Sequence, residues 1–367
     1  LAAAASAPLP APAMPALAGP TEPTERPGTN PLRWLAASGL AAATAAALVF
    51  GVPHWPEAAR WTLGIFALAI VAWTVLGLDD TPVALCALLA LAALGLVPVD
   101  DLFAGLGSSL VWLMIGAFVL AAALTHSGLA QRCAQRAVAG AATVQALLWR
   151  LTWVVAATAF VVPSTSGRAA LLLPLFLVLA RALDDARLTR ALALLFASII
   201  LLSAGAALPA AGAHLVAVDF LRGLGAPVPD YLRWAALAAP VSAAACAVAT
   251  LVIARLFLTP AERARPVTLP AAPASLTTPA QKAVGAVVVL TIAGWAVGGA
   301  VGIDPALVAL AGALAATCRP LTGVTLKAAL KSVEWNLVVF LAATMVLGDA
   351  LLHSGAARLL ADALLAA

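Results

Sequence analysis

One apolar run after another, each about 15–25 residues long and nearly free of charge, leaves this chain few folds to choose from. A helix needs about 20 apolar residues to cross a hydrocarbon core of ~30 Å, and a soluble fold cannot bury so many continuous runs. The 367 residues are 64% apolar and 10% charged, against roughly 25% charged in an ordinary soluble domain. Composition therefore predicts an all-α polytopic membrane protein. The net charge of +4 carries no nucleic-acid signal, because Lys and Arg lie in short loops between the runs. Cys86, Cys133, Cys246 and Cys318 stand apart, with no Cys-x-x-Cys or Cys/His cluster. Neither a disulfide nor a zinc site is expected, and no cofactor.

The expected spans cover residues 32–52, 61–78, 82–97 and 110–124, followed by two short apolar pieces at 147–162 and 169–182. A further span, 191–203, runs into a Gly/Ala/Pro-rich break over 205–212 and a short helical continuation at 214–221. Spans at 234–258, 283–301, 305–317 and 335–352 complete the set. Residues 1–31 are Ala/Pro-rich, lack the basic start and apolar core of a signal, and read as a disordered cytoplasmic tail. Residues 259–282 read as a cytoplasmic linker between a first transmembrane half, 32–258, and a second, 283–367.

Within these halves a motif occurs twice. Val119-Leu120, Ala123-Leu124 and His126-Ser127-Gly128 recur as Val346-Leu347, Ala350-Leu351 and His353-Ser354-Gly355. Each copy closes a long apolar run and opens a small amphipathic stretch containing Arg. Such duplication is common in transporters, whose substrate site lies between the repeats. Arg132, Arg136, Arg181, Arg187 and Arg190 flank the two short pieces at both ends, and Arg255, Arg263, Arg265 and Lys282 bracket the linker. The positive-inside rule places all of these in the cytoplasm. Both flanks of the short pieces lie inside only if the pair does not cross, so 147–182 is expected to form a re-entrant hairpin. The two motif copies are then separated by an odd number of crossings, which makes the duplication inverted.

The hairpin tip is Pro163-Ser164-Thr165-Ser166-Gly167-Arg168. Irregular backbone at membrane depth survives only where protein or water satisfies it. Three hydroxyls and the positive end of the following helix suit an anion, while carbonyls at the end of the preceding helix suit a cation. Arg168 adds a fixed charge that favours an anion and opposes a sodium ion beside it. The break at Gly205–Gly212, with Ala213 and His214 behind it, presents further backbone to the same point. The competing interpretation treats the Ser and Thr hydroxyls as helix glue, and Arg168 as a hairpin lock.

These residues resemble the divalent anion/sodium symporters of the ion transporter superfamily. Ser164-Thr165-Ser166 occupies the place of that family's Ser-Asn-Thr hairpin signature, with Leu173-Pro174 at the matching distance. The stretch from Leu110-Val111-Trp112 to His126-Ser127-Gly128-Leu129 looks like the preceding span. Val228-Pro229-Asp230-Tyr231-Leu232-Arg233-Trp234 and Ala239-Pro240 resemble the segment after the family's broken helix. Thr165 stands where the signature has Asn, and Arg168 where the family has a small neutral residue. The resemblance covers about residues 110–367 and implies secondary active transport of small anions, di- or tricarboxylates or an inorganic oxyanion, by alternating access. It also implies a homodimer, and a coupling sodium ion at Ser164, Thr165 and Gly205. A bacterial inner membrane is the expected location.

Two alternatives stand beside this expectation, a cation/proton antiporter of the same superfamily and a non-transporting membrane fragment. An antiporter needs an intramembrane carboxylate, and Asp219 is the only candidate at that depth. A membrane enzyme needs a catalytic constellation; the four histidines are scattered, and His126 and His353 read as helix-end residues. Asp79-Asp80 and Asp184-Asp185 read as solvated caps. The offset between Gly128 and Gly355, added to Ser164, puts a second tip at about position 391, past Ala367. With Leu1 in place of Met, the second repeat is expected to be incomplete in a fragment.

Overall fold

The computed structural model describes residues 54–267 and 277–365, with Ala36, Gly39, Leu40 and Ala43 besides. The tail, the rest of the expected span 32–52, and linker residues 268–276 lie outside the described residues. Among the described residues the named elements are all helical, and six stretches are long and apolar enough to cross a membrane.

Several of the helices begin where short polar side chains accept the orphan N–H groups of a first turn. In the first half, α1 (Glu57–Thr74), α2 (Asp80–Ala93) and the short α3 (Val99–Ala104) lead into α4 (Ser109–His126). Ser108 caps α4 by accepting from the Leu110 N–H at 3.3 Å. The motif containing Gly128 then turns the chain into α5 (Leu129–Val138). Thr143 caps α6 (Val144–Ala157), Ser164 caps α7 (Thr165–Leu183) and Asp185 caps α8 (Ala186–Ala204). After α8 come α9 (Gly212–Gly223) and α10 (Tyr231–Phe257), the latter capped by Asp230, then α11 (Pro260–Ala264).

The second half runs through α12 (Pro279–Val301), capped by a Thr278/Gln281 box, and α13 (Pro305–Ala316), capped by Asp304. Two short helices, α14 (Arg319–Thr322) and α15 (Leu326–Leu330), precede α16 (Trp335–His353) and α17 (Ala356–Leu365).

The twice-occurring motif builds the same turn in both places. Gly128 and Gly355 take left-handed φ values of 69° and 76°, which only glycine adopts without cost. Ser127 donates to the Leu124 carbonyl and accepts from Leu129 N–H; Ser354 does the same with Leu351 and Ala356. His126 and His353 each sit in the last turn of the helix before it. The motif is a helix-ending device.

The core is organised around α4, whose apolar side chains are buried on nearly every face. It packs on α13, where Gly116 meets Ala309 so closely that a Cβ would lie 2.8 Å from the Ala309 Cβ. Conversely, α16 packs on α2, with Ala84, Leu88 and Leu91 against Ala343, Leu347 and Ala350. Each half thus lays its long motif-bearing helix against a short helix of the other.

A separate apolar cluster unites α6, α7, α8 and α10 through Leu148, Leu151, Leu175, Leu179, Leu195 and Ile253. Helices α6 and α7 both pack on α8, and the start of α6 and the turn after α7 both meet the linker. The Val144 N–H donates to the Arg265 carbonyl at 3.1 Å, and Arg265 Nη1 lies 3.3 Å from Asp185 Oδ2. Arg187 and Glu262 pair beside them at 3.4 Å. One part of the sequence expectation is corrected here. The second arm was expected over 169–182, but α7 starts at Thr165 because Ser164 caps it, and its 19 residues rise about 28 Å. It is long enough to cross, so shortness of both pieces does not argue for a hairpin.

Candidate functional site

The first arm ends in a 3-10 turn, Thr158–Phe160, before Pro163. Helix α8 ends at Ala204, and a second 3-10 turn, Leu208–Ala210, precedes α9. The two turns touch: Ala159, Ala207 and Ala210 form a buried cluster with Phe160 against it. Both breaks in the helical backbone therefore lie at one place.

Ser164 has extended backbone (φ −142°, ψ 135°) and is 4% exposed. Its hydroxyl accepts the Gly167 N–H at 3.1 Å and donates to Glu334 Oε1 at 2.6 Å. Thr165 is half-buried, Ser166 is exposed, and both belong to the first turn of α7. A Cβ at Gly167 would lie 3.5 Å from the same Glu334 oxygen, so that carboxylate rests over this turn. Glu334 also lines a cavity of about 510 Å³ with Asp80, Asn336 and Leu337.

Arg168 overturns the anion-facing expectation. It is fully buried and its guanidinium is committed to neutral oxygens. Nε donates to Thr158 Oγ1 at 2.9 Å, Nη1 to the Ile200 carbonyl at 2.8 Å, and Nη2 to the Val155 carbonyl at 2.9 Å and Ser203 Oγ at 2.5 Å. The side chain ties the end of the first arm to the last turn of α8. Its cost in the membrane is met by backbone carbonyls and hydroxyls, with nothing directed at a ligand.

At the second break, the Gly205 carbonyl accepts the Trp234 indole N–H at 3.1 Å. The Trp234 ring lies 4.9 Å from that of His214, whose Nδ1 has no hydrogen-bond partner among the described residues. Gly212 opens α9 at a junction of three helices, 3.4 Å from Met114 and 3.5 Å from Leu337 measured from a Cβ position, while Ala213 is exposed. A second polar cavity, about 430 Å³, is lined by Asp101, Asp219, Asp349 and His353. Asp219 is thus accompanied by a second carboxylate, Asp349, which lies well within α16. Among the described residues no group of three or more His, Cys, Asp or Glu could hold a metal ion.

With this geometry in place, comparison with known families is decisive. The model of the citrate transporter family matches residues 66–367, well over half of the chain. The chain belongs to the citrate transporter family. That family is part of the ion transporter/divalent anion symporter superfamily, so the resemblance drawn from Ser164-Thr165-Ser166 and its neighbours holds. Its members are carboxylate or anion transporters and not enzymes, and this family member is a multi-pass membrane protein. No curated protein matches the chain.

Two residues of this citrate-transporter family member were missed by sequence reasoning. Asp349 had a usable signal, a lone acid in an apolar run. Glu334 had almost none; it reads as a loop residue just before a span, and only the packing of the second half on the first brings it to Ser164.

Proposed function

We propose that the chain is a secondary carrier of small carboxylates of the citrate class, receiving one substrate carboxylate at the tip formed by Ser164, Thr165, Ser166 and Gly167. The observation that carries this is a carboxylate seated at that tip: Glu334 accepts the Ser164 hydroxyl at 2.6 Å over the opening turn of α7. The first N–H groups of a helix have no partner within it, and its dipole favours negative charge there. The contact of the turn Thr158–Phe160, just before the tip, with the break before α9 supports Gly205, Gly212, Ala213 and His214 as the opposite wall.

The same proposal includes alternating access between two inverted repeats, for which the reciprocal packing of α4 on α13 and α16 on α2 is the support. It includes a re-entrant hairpin at 144–183, supported by the anchoring of both outer ends on the linker. Sodium is the proposed coupling ion, with the Ser164 and Thr165 hydroxyls and the Gly205 carbonyl as oxygen donors. Arg168 serves as a lock in this scheme. The proposed setting is a homodimer in a bacterial inner membrane, with the linker and the hairpin ends in the cytoplasm. Exposed Trp61, Leu68, Ile70 and Leu89 give α1 and α2 an apolar face suited to lipid or a partner.

The test is citrate binding by the purified chain. Ser164→Ala should weaken it about ten- to hundredfold, the equivalent of one hydrogen bond to a charged group at roughly 1.5–3 kcal/mol. Folded yield should hardly change, since no core volume is removed. Unchanged binding in Ser164→Ala, Thr165→Ala and Ser166→Ala alike would return these hydroxyls to the role of helix glue. Replacing sodium by potassium or choline tests the coupling ion.

A further inference from the structure

Glu334 occupies the N-cap position of α16 and makes no cap bond there. The N-cap of the other motif-bearing helix, α4, is Ser108, which caps its own helix. Where Ser108 turns its side chain inward to its own helix, Glu334 sends its own across the molecule to the first turn of α7, 170 residues away in sequence. An O–H···O contact of 2.6 Å lies within the ~2.5–2.7 Å range of bonds to an ionised carboxylate. The acceptor is the same chemical group that a carboxylate substrate would bring.

We propose that Glu334 is an internal occupant of the hairpin tip, a protein carboxylate that holds the substrate's place until an incoming anion displaces it. This rests on the tip being the substrate site. Two carboxylates cannot share one helix end and one hydroxyl without repulsion, so anion binding and the Ser164–Glu334 bond exclude each other. The partly buried Glu334 side chain borders the 510 Å³ cavity beside Asn336 and Leu337, which gives it somewhere to withdraw. An empty carrier is thereby closed at the tip by its own second half. Its selectivity for anions arises from competition: a ligand must offer the tip more than one protein carboxylate does.

The experiment measures radiolabelled citrate binding to the full 367-residue chain in nanodiscs. Glu334→Gln keeps the size and removes the charge, and is expected to tighten citrate binding about tenfold. Ser164→Ala is expected to weaken it most clearly when combined with Glu334→Gln, where no released occupant offsets the lost hydroxyl. Unchanged or weaker binding in Glu334→Gln, with Ser164→Ala still impaired, overturns the occupant role and leaves the tip as the substrate site; Glu334 is then a ligand for a cation or a plain structural residue. Binding by Ser164→Ala/Glu334→Gln as tight as by Glu334→Gln alone overturns the tip itself and the occupant with it. A second readout needs no citrate. With Ser166→Cys at the exposed edge of the tip, Glu334→Gln should raise the rate of modification by an anionic methanethiosulfonate several-fold relative to a neutral one. An unaltered ratio overturns the proposal.

Discussion

Arg168 shows how a single residue can advertise importance and conceal its role. A charge in an apolar segment is costly, so its presence was an anomaly that any inspection of the chain would mark. Which way the side chain points is a different matter. It depends on α8, more than thirty residues downstream, whose Ile200 carbonyl and Ser203 hydroxyl complete the set of acceptors. Ser164 was legible for the opposite reason, since its capping of α7 is local. Arg168→Ala should leave several buried acceptors without a donor and lower stability by on the order of 3 kcal/mol. Arg168→Lys should recover little, because one compact ammonium cannot span acceptors arranged for a planar fork. Thermal unfolding of the detergent-purified variants measures both. A Lys variant of native stability would show that charge alone, and not the fork, is what the site needs.

At the scale of elements, helix positions were largely legible because their starting residues are written in the chain. Thr143, Ser164, Asp185, Asp230, Thr278 and Asp304 each stand directly before a helix and accept from its first turn. Apolar run length was the poorer guide. It began the second arm at residue 169, where Ser164 begins it at 165, because polar Thr165 and Ser166 belong to the helix. The turn between α7 and α8 has a measurable consequence. Asp184 adopts φ 43° and Asp185 then accepts the Leu188 and Arg187 N–H groups. Those two bonds, with Arg265 and Arg187 nearby, hold the Asp185 carboxyl below its ordinary value of 3.8. A carboxyl whose pKa is depressed by folding favours the native state when ionised. Its contribution is present above pH 3.8 and disappears as pH falls through the lower native value. Hydrogen exchange at the start of α8 should therefore accelerate below that pH in the native chain. In Asp185→Asn the step should be absent; a step that persists would assign it to another group.

For the whole molecule, the chain carries an expected parity but no sign of the interlock. Two copies of a helix-ending motif and the distribution of Arg gave an expected inversion without indicating how the halves touch. The packing that joins them, Gly116 on Ala309 and the cluster holding Ala84 and Ala343, involves small residues that look alike along the chain and acquire meaning only where backbones approach. Glu334 was hidden for the same reason, as its partner lies in the other half. The proposed inverted arrangement makes a joint demand on topology. If α6 and α7 enter and leave on one side, single cysteines at Gln145 and Asp184, both exposed, must react with an impermeant reagent from the same face. If the two motif copies are inverted, Gln131 and its counterpart Arg358, each just after the shared turn geometry of Gly128 or Gly355, must react from opposite faces. With Cys86, Cys133, Cys246 and Cys318 replaced, Gln131→Cys, Gln145→Cys and Asp184→Cys should be labelled only from the cytoplasm, and Arg358→Cys only from outside. Opposite sidedness at 145 and 184 would turn the hairpin into two crossings. Equal sidedness at 131 and 358 would leave the duplication intact but remove the inversion, and with it the symmetry on which alternating access between the halves depends.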